Sequence, residues 1–340
     1  MRLFMAASIT ATCLASRAFA GAGIAGADIL KVPVEARGWG LACAYSAIAD
    51  DVGAMAYNPA GLALATEKEI RFTHLSLLEN SNFESLLAAI PLGRWGTLGG
   101  MFLHRSVPTI DNGPYIQPPM GVVEVSDTVL GMYTAFRLSH VLPGVRTTAP
   151  LSMGAGFKQI SMKIGYYSTS AAALDFGLLL LVDPFRLALA MQNFGGGYTF
   201  IGGSEGEADP LPQTMRTAVS WAMYEDTRHS FVSTIENASY IGVTTAQREG
   251  ENLRTVKESS SVLGFGIEYW RLKKMSVRIG YMLPWSANAS AYSGSRGIAM
   301  GGTFRIFTDW LAYQIDMAYR PIAIGTSRQD AFSVSLGVRF

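Results

Sequence analysis

The chain has 340 residues, a formal net charge of +1 and 16% charged side chains, whereas 49% of its residues are hydrophobic. A charge balance this close to zero offers no basic surface to nucleic acid, so no partner of that kind is expected. After residue 20 no window approaches the ~20 consecutive apolar residues that a membrane-spanning helix requires. The composition therefore excludes a helical membrane protein.

The first 20 residues have the composition of an export signal. Arg2 precedes a mostly apolar run, and Ala18-Phe19-Ala20 forms a small-x-small cleavage site at its end. We therefore predict a signal peptide over residues 1–20 and an exported mature chain. The competing interpretation is a lipidated Cys13, which would follow a very short apolar core.

Residues 36–65 form a stretch of glycine, alanine and single aromatics, small enough to let surrounding backbone approach closely. The part from Trp39 to Ile48 can wind as a helix, and Asp50-Asp51 favours a turn that ends it. A second short turn leads to Asn58-Pro59-Ala60-Gly61. We interpret residues 21–66 as a plug that is buried on every side. The alternative is an ordinary pair of core helices in a soluble domain.

Residues 67–340 are predicted to form β-strands, because apolar and polar residues alternate along them. The last strand is the clearest example, since every second residue from Phe332 to Phe340 is apolar and the others are polar or small. Many segments reach the about 9 to 11 residues that a tilted strand needs to cross a bilayer. We count about fourteen strands, near 69–78, 83–92, 96–107, 125–139, 151–164, 169–182, 185–195, 211–224, 229–241, 261–272, 275–283, 297–307, 310–321 and 330–340.

The joints between these strands alternate in length, which is typical of an outer-membrane barrel with its short turns on the periplasmic side. A soluble sandwich or soluble barrel is the alternative. Strand length, the export signal and aromatics near strand ends, such as Tyr269, Trp270 and Trp310, favour the membrane. Short joints are predicted at 93–95, 183–184, 225–228, 273–274 and 308–309, and long loops at 108–124, 196–210, 242–260, 284–296 and 322–329.

A small-residue helical segment ahead of a long all-β chain resembles the N-terminal hatch of FadL-type outer-membrane transporters, in which an Asn-Pro-Ala motif is typical. The pattern of Ala36-Arg37-Gly38, Ala49-Asp50-Asp51 and Tyr57 to Leu62 resembles still more closely the branch that contains PorV and uncharacterised spirochaetal outer-membrane proteins. The alternating last strand, which ends on Phe340, resembles the signal read by the outer-membrane barrel assembly machinery. The resemblance implies a helical hatch at 21–66 in the lumen of a barrel at 67–340, in the cell outer membrane.

The FadL resemblance implies uptake of a hydrophobic small molecule, such as a long-chain fatty acid, through a shift of the hatch and escape into membrane lipid at a kinked strand. The kink requires broken pairing, and Gly99-Gly100 is the best local candidate for it. The PorV resemblance implies instead a barrel that binds or hands over secreted cargo proteins. A structural or surface-exposed barrel is the third possibility.

No catalytic constellation is visible in the sequence. The four histidines have no metal-ligand spacing, and neither a nucleophile elbow nor a glycine-rich phosphate loop occurs, so no enzyme, metal or cofactor is expected. If the apolar strand faces point to lipid, the opposite faces carry charges that either line a path or merely satisfy one another and the hatch. The candidate hatch and gating residues are Asn58, Pro59, Ala60, Gly61, Asp50 and Asp51, and the candidate lumen-lining residues are Arg137, Lys158, Gln192, Arg216, Glu268, Arg278, Arg305 and Asp316.

Overall fold

The computed structural model of the chain describes residues 27–76, 81–111, 122–141, 150–199, 210–249, 252–284, 296–324 and 327–340. The signal peptide expected at residues 1–20 lies outside the described residues. No helix in these ranges is long and apolar enough to cross a membrane.

Within these ranges, fourteen strands form one closed antiparallel barrel in which each strand pairs with its neighbours in sequence and the last pairs with the first. The predicted all-β fold and its strand number are confirmed. The strands are β1 Glu69–Ser76, β2 Asn82–Pro91, β3 Thr97–Asp111, β4 Val122–Arg137, β5 Leu151–Ile164, β6 Tyr167–Val182, β7 Phe185–Gly195, β8 Gln213–Glu225, β9 His229–Glu249, β10 Asn252–Arg271, β11 Met275–Pro284, β12 Gly297–Phe307, β13 Ala312–Ile324 and β14 Ser327–Arg339.

Two of the predicted loops are wrong. Most of 242–260 continues β9 and β10 as a paired hairpin, and most of 322–329 continues β13 and β14 in the same way. These extensions carry mixed polar residues where apolar residues do not recur at every second position. A strand outside the membrane has no lipid-facing side to keep apolar, so the period-two signal fades there.

The short joints lie on one rim of the barrel. Those at 183–184 and 226–228 share this rim with the start of β1 and the end of β14. In outer-membrane barrels the short-turn rim is periplasmic, and the barrel therefore begins and ends on that side. The joint between β4 and β5 lies there too, and it begins with a short helix, Leu138–Val141.

The outer face of the barrel is apolar. Along most strands, alternate residues are exposed and hydrophobic while the residues between them are buried inside. A continuous exposed apolar belt of this kind is stable against lipid and not against water, so the barrel spans an outer membrane. The belt includes Ile70, Phe72, Leu86, Leu98, Phe102, Leu130, Met132, Phe157, Leu174, Phe176, Ile235, Phe265, Ile279, Met300, Phe304, Ile315, Met317, Val334 and Leu336.

Residues 27–66, here named the luminal segment, lie inside the barrel. The helix α1 (Ala36–Gly40) packs on β12 to β14, whereas the 3₁₀ helix Pro59–Leu64 packs on β3 to β6, which lie across the barrel. Contact with opposite walls is possible only from within a closed barrel. The segment also includes the 3₁₀ helix Asp28–Lys31 and the helix α2 (Ala54–Tyr57), and almost all of it is buried.

Candidate functional site in the barrel lumen

Asn58 joins two turns of the luminal segment to the wall. Its amide Nδ2 donates to the carbonyl of Ser46 at 3.3 Å and to the carbonyl of Leu178 on β6 at 3.1 Å. Its Oδ1 accepts from the backbone N–H of Ala60 at 3.2 Å, which caps the 3₁₀ helix that Pro59 begins. The side chain is fully buried. This arrangement uses both the donor and the acceptor of the amide.

The 3₁₀ helix seats directly on the wall because two strand positions there are glycine. A Cβ at Gly154 on β5 would lie 2.3 Å from the carbonyl carbon of Pro59, and a Cβ at Gly177 on β6 would lie 2.1 Å from Asn58 Oδ1. Any larger residue would push the segment away. Inside the segment, Gly61 meets the same limit against the carbonyl oxygen of Ala49, at 2.3 Å.

Asp51 lies at the centre of the charged part of the lumen. Its Oδ1 accepts from the hydroxyl of Tyr45 at 2.7 Å and from the N–H of Gly53 at 2.9 Å. Its Oδ2 accepts from Arg37 at 3.1 Å and from Arg71 at 2.9 Å. Burial alone would raise the pKa of Asp51, but the two guanidinium groups outweigh burial and hold that pKa well below its usual range. Asp51 therefore stays charged.

Arg37 connects the luminal segment to β10. It makes a bidentate pair with Glu268, at 2.9 and 2.8 Å, and it also donates to Asp50 at 2.6 Å. The bidentate geometry fixes the orientation of the guanidinium plane. Asp50 is the member of this group whose side chain is partly exposed, and it points to the periplasmic mouth of the barrel.

Arg71 on β1 is fully buried and faces three carboxylates: Glu35 Oε2 at 3.1 Å, Asp51 Oδ2 at 2.9 Å and Glu69 Oε1 at 2.5 Å. Sequence reasoning missed Arg71, Glu35 and Glu69. The available signal was weak: Arg71 occupies the inward position of a strand whose other face, Ile70 and Phe72, is apolar. These charged residues form one connected group, which we name the ionic cluster. Its members are Glu35, Arg37, Asp50, Asp51, Glu69, Arg71, Glu268, Arg278 and Asp316.

Glu35 is a buried member of the ionic cluster whose pKa is shifted toward neutral pH. It caps α1 by accepting from the N–H groups of Arg37 and Gly38, at 2.8 and 2.5 Å. Burial raises its pKa to about 7, with the charges of Asp51 and Asp316 adding to the effect and that of Arg71 opposing it. Glu35 thus titrates near neutral pH.

Six of the eight candidate lumen residues are buried inside the barrel. Arg278 bonds to Asp316 at 3.2 Å, and Lys158 Nζ lies 2.9 Å from Asp175. Arg216 bonds to Glu236 at 2.8 Å, and Glu236 in turn accepts from the N–H groups of Tyr45 and Ser46 of the luminal segment. The buried set is Lys158, Gln192, Arg216, Glu268, Arg278 and Asp316.

Arg305 and Arg137 lie nearer the periplasmic rim and are only partly buried. Arg305 donates to Gln314 Oε1 at 2.7 Å and lies over the ring of Trp270 at 4.2 Å. Trp270 therefore faces the lumen, and its expected place in an interfacial aromatic belt is wrong. Arg137 lies at the periplasmic end of the lumen, beside Asp50.

The predicted kink at Gly99-Gly100 is contradicted. Both glycines pair without interruption, Gly99 with Ala89 and Tyr133, and Gly100 with Ala88 and Met132. Gly99 lies against the luminal segment, since a Cβ there would lie 2.6 Å from Met55 Sδ. The glycine makes room for the segment without bending the strand, because a bend requires an unpaired residue. Gly100 faces outward into open space.

Phe340 follows β14 at the periplasmic rim and its side chain is half-exposed. Its backbone exchanges two hydrogen bonds with Lys68, at 3.1 and 3.0 Å, and the Lys68 ammonium lies 5.5 Å from the ring centre. The end of the barrel is therefore tied to its beginning. The role of Phe340 as an assembly signal stays a prediction.

A cavity of about 290 Å³ lies on the extracellular side of the luminal segment. One part of its wall is apolar, with Ile29, Val34 and Trp39 from the segment facing Met101 and Leu103 from β3. Another part is polar and contains Lys158, Gln192, Asn193, Arg216 and Glu236. The cavity is thus large enough for a small organic molecule and divided into an apolar side and a polar side.

A second space, of about 400 Å³, opens on the periplasmic side of the segment. It is lined by Asp50 and Leu64 of the segment and by wall residues that include Arg137, Leu181 and Arg186. We name it the periplasmic mouth. The luminal segment separates it from the cavity.

The architecture matches solved outer-membrane barrels. A FadL homologue of Pseudomonas aeruginosa is similar over 94% of this chain and 99% of its own, with a TM-score of 0.52 and 12% sequence identity. The toluene transporter TbuX of Ralstonia pickettii covers 90% and 97%, with a TM-score of 0.51 and 11% identity. The monoaromatic hydrocarbon channel CymD covers 91% and 97%, with a TM-score of 0.58 and 10% identity. These similarities establish a FadL-like fold.

No model of a known protein family matches the sequence, and no curated protein matches it. The similarity is therefore one of fold. At these sequence identities most side chains differ between this chain and the solved barrels.

Proposed function

We propose that the protein is an outer-membrane channel for the uptake of small hydrophobic molecules. The observation that supports this most directly is the cavity above the luminal segment, with its apolar wall of Ile29, Val34, Met101 and Leu103. A purely structural barrel does not require an apolar space inside a polar lumen. The hydrophobic effect and close packing favour filling such a space with side chains.

The size of the cavity favours a compact ligand. At about 290 Å³ it is at the lower end of the about 300 to 1,000 Å³ typical of ligand pockets. TbuX is a toluene transporter and CymD a monoaromatic hydrocarbon channel, and a ligand of that class suits this space. Long-chain fatty acids remain the second ligand class, and they would have to extend beyond the cavity.

We further propose that Asn58, Pro59, Ala60 and Gly61 hold the luminal segment in its closed position and that Asp50 and Asp51 hold it to the charged wall. The contacts of Asn58 with Ser46 and Leu178 support the first part. The contacts of Asp51 with Arg37 and Arg71 support the second. A shift of the luminal segment would have to break both the contacts of Asn58 and the contacts of Asp51.

The test is uptake of radiolabelled toluene by cells that carry the protein as their sole hydrocarbon channel. Met101→Trp should fill the cavity and lower uptake severalfold. Phe102→Trp is the matched control, because Phe102 is the next residue on the same strand and faces lipid. Equal uptake with both variants, each folded, would contradict the channel function. Mass spectrometry of lipids extracted from the purified protein would then identify other bound ligands.

Cargo binding is the second candidate, and one observation favours it. The β9–β10 hairpin pairs as far as Asn252 and Glu249, well beyond Ile241, where the pairing of β9 with β8 ends. A hairpin that rises above its neighbours can contact a protein at the extracellular mouth. Deleting 242–260 should abolish retention of a secreted protein if the barrel binds cargo, and should leave toluene uptake unchanged if it is a channel.

A further inference from the structure

A β-bulge in β7 brings two consecutive side chains to the cavity. The pairing of β7 with β6 shifts register between Leu174 and Phe176. Opposite this shift, Asn193 has a φ of 63°, in the left-handed region that Asn adopts more readily than most residues. Successive strand residues normally face opposite sides, but both Gln192 and Asn193 are buried and line the cavity. Bulges re-aim side chains in this way and are over-represented beside functional sites.

The bulge holds Arg216 of β8 in a fixed orientation. Arg216 donates through Nε to Gln192 Oε1 and through Nη1 to Glu236 Oε1, both at 2.8 Å. Its guanidinium also lies over the ring of Tyr57, 5.2 Å from the ring centre. The third nitrogen, Nη2, donates to no residue that the structure describes, although Arg216 is only 9% exposed. A guanidinium has five N–H groups, so Nη2 leaves two of them for a ligand in the cavity.

Lys158 of β5 is held in the same way on the other side of the bulge. Its Nζ donates to Asn193 Oδ1 and lies 2.9 Å from Asp175 Oδ2. These are its two partners among the described residues, and Lys158 is 4% exposed. An ammonium has three N–H groups, so one of them remains for the cavity that Lys158 lines.

The side-chain oxygens in this part of the cavity wall are already bonded. Glu236 accepts from Arg216 with Oε1 and from two backbone N–H groups of the luminal segment with Oε2. The amide oxygens of Gln192 and Asn193 accept from the two cations. This part of the wall therefore presents mainly N–H donors to the cavity. We name it the polar wall, and it consists of Lys158, Gln192, Asn193, Arg216 and Glu236.

The charges of the two cations are balanced. Lys158 lies 2.9 Å from Asp175, and Arg216 lies 2.8 Å from Glu236. An anionic ligand would bring a negative charge for which the polar wall has no further cation, and burying an unpaired charge is unfavourable. A hydrocarbon that filled the cavity would exclude water from the spare N–H groups, and a buried donor without a partner is unfavourable as well. A neutral oxygen avoids both penalties.

We propose that the cavity binds small ring compounds that carry a neutral acceptor oxygen, such as an aromatic ketone or ether. The ring lies against the apolar part of the wall, at Met101 and Leu103, and the oxygen accepts from the spare N–H groups of Arg216 and Lys158. This inference rests on the proposed channel function and names its ligand class. The preferred ligand is an oxygenated ring compound, and neither a pure hydrocarbon nor a fatty acid.

The first experiment compares two ligands on the wild-type protein. Acetophenone and isopropylbenzene share the same ring and nearly the same shape, and they differ in that a carbonyl oxygen replaces one methyl group. Binding to the purified barrel in detergent micelles is measured by isothermal titration calorimetry, with partition into protein-free micelles subtracted. We expect acetophenone to bind at least about tenfold more tightly, since a hydrogen bond to a charged donor supplies a difference of that size. Equal affinities would overturn this ligand class and leave the channel function standing.

The second experiment removes the spare N–H groups of Arg216. Arg216→Lys keeps a cation beside Glu236, so the barrel should fold, but it lacks the forked guanidinium that presents Nη2. The affinity for acetophenone should fall severalfold, while that for isopropylbenzene stays unchanged. Arg186→Lys is the matched control, because Arg186 on β7 lines the periplasmic mouth on the other side of the luminal segment. This control should keep the wild-type preference.

The remaining outcomes separate the ligand class from the channel function. An equal loss of affinity for both compounds in Arg216→Lys would be a structural effect and would overturn the role of Arg216. Tighter binding of benzoate than of acetophenone would overturn the neutral class. Absence of acetophenone binding would overturn the ligand class, and absence of toluene uptake by wild-type cells would overturn the channel function as well. If heat-modifiable gel mobility shows that Arg216→Lys does not fold, the comparison of ligands on the wild-type protein decides.

Discussion

On the side of β1 and β10 the luminal segment bonds to the wall through buried ion pairs, whereas on the side of β5 and β6 its 3₁₀ helix rests on two strand glycines. Arg71 and Arg37 represent the first side, each bonded to several carboxylates. Gly154 and Gly177 represent the second, where the 3₁₀ helix touches the strands. The charged side depends on the balance of charge, and the glycine side depends on volume.

The difference shows that one segment is held by two kinds of contact. A glycine contact permits a single fit, because any displacement opens a void or creates a clash. A buried arginine bonded to carboxylates holds the segment by charge and by orientation, because a displacement would leave a charge uncompensated. The first two predictions test the two sides separately.

The largest expected effect is that of Arg71→Met. Removing the guanidinium takes the ion-pair partner from Glu35 and one of the partners from Asp51 and from Glu69, and breaking a buried pair costs about 3 to 5 kcal/mol. The temperature at which heat-modifiable gel mobility changes should fall markedly.

Lys163→Met is the matched control for Arg71→Met, because Lys163 pairs with Glu124 at 3.2 Å in an exposed position. Exposed pairs contribute about 0 to 1 kcal/mol. If both variants lower the transition equally, charge compensation does not hold the segment.

The next effect is that of Gly154→Val on the opposite side. Its side chain would meet the backbone of Pro59, and overpacking a buried contact costs about 1 to 3 kcal/mol. Limited proteolysis of the purified barrel should cut the luminal segment faster. Gly100→Val is the control, since nothing lies within 4 Å of a Cβ there. Equal protection of both variants would show that the glycine contact is not needed.

A smaller effect is expected for Asn58→Ala, which removes the cap of the 3₁₀ helix and the bond to Leu178. Loss of an N-cap side chain costs about 0.5 to 2 kcal/mol. The barrel should stay folded, since strand pairing closes it, while leakage of small polar solutes or uptake of toluene increases. Pro59→Ala should act in the same direction. Unchanged uptake and leakage in both folded variants would remove the gating role from this motif.

The smallest effect is a dependence on pH through Glu35. Its pKa is raised from 4.5 to about 7, so the folded protein holds a proton that the unfolded chain has lost. The contribution of Glu35 to stability is therefore greatest below pH 4.5 and declines as the pH rises through 7. Between pH 6 and pH 7 the loss is about 1 kcal/mol. Glu35→Gln should lack this dependence when the heat-modifiable transition is measured at both pH values. A wild-type slope that persists in Glu35→Gln would assign it to another group.

The strand number, and the lipid-facing side of the strands whose residues alternate clearly, follow from the sequence by itself. The reason is local: successive side chains of a strand point to opposite faces, so an apolar residue at every second position marks both the strand and its outer face. The position of the Asn58 turn was predictable for the same reason, because Asn and Pro restrict the chain within a few residues.

Only the tertiary structure decided which inward charges meet and where the lumen stays open. Arg37 pairs with Glu268, and Arg71 with Asp51, because closing the barrel brings together positions that no local pattern relates. The same holds for Gly99, whose sequence suggested a kink and which instead pairs with both neighbouring strands and lies beside Met55 of the luminal segment. Contacts between distant parts of a chain depend on closure, and closure is a property of the whole barrel.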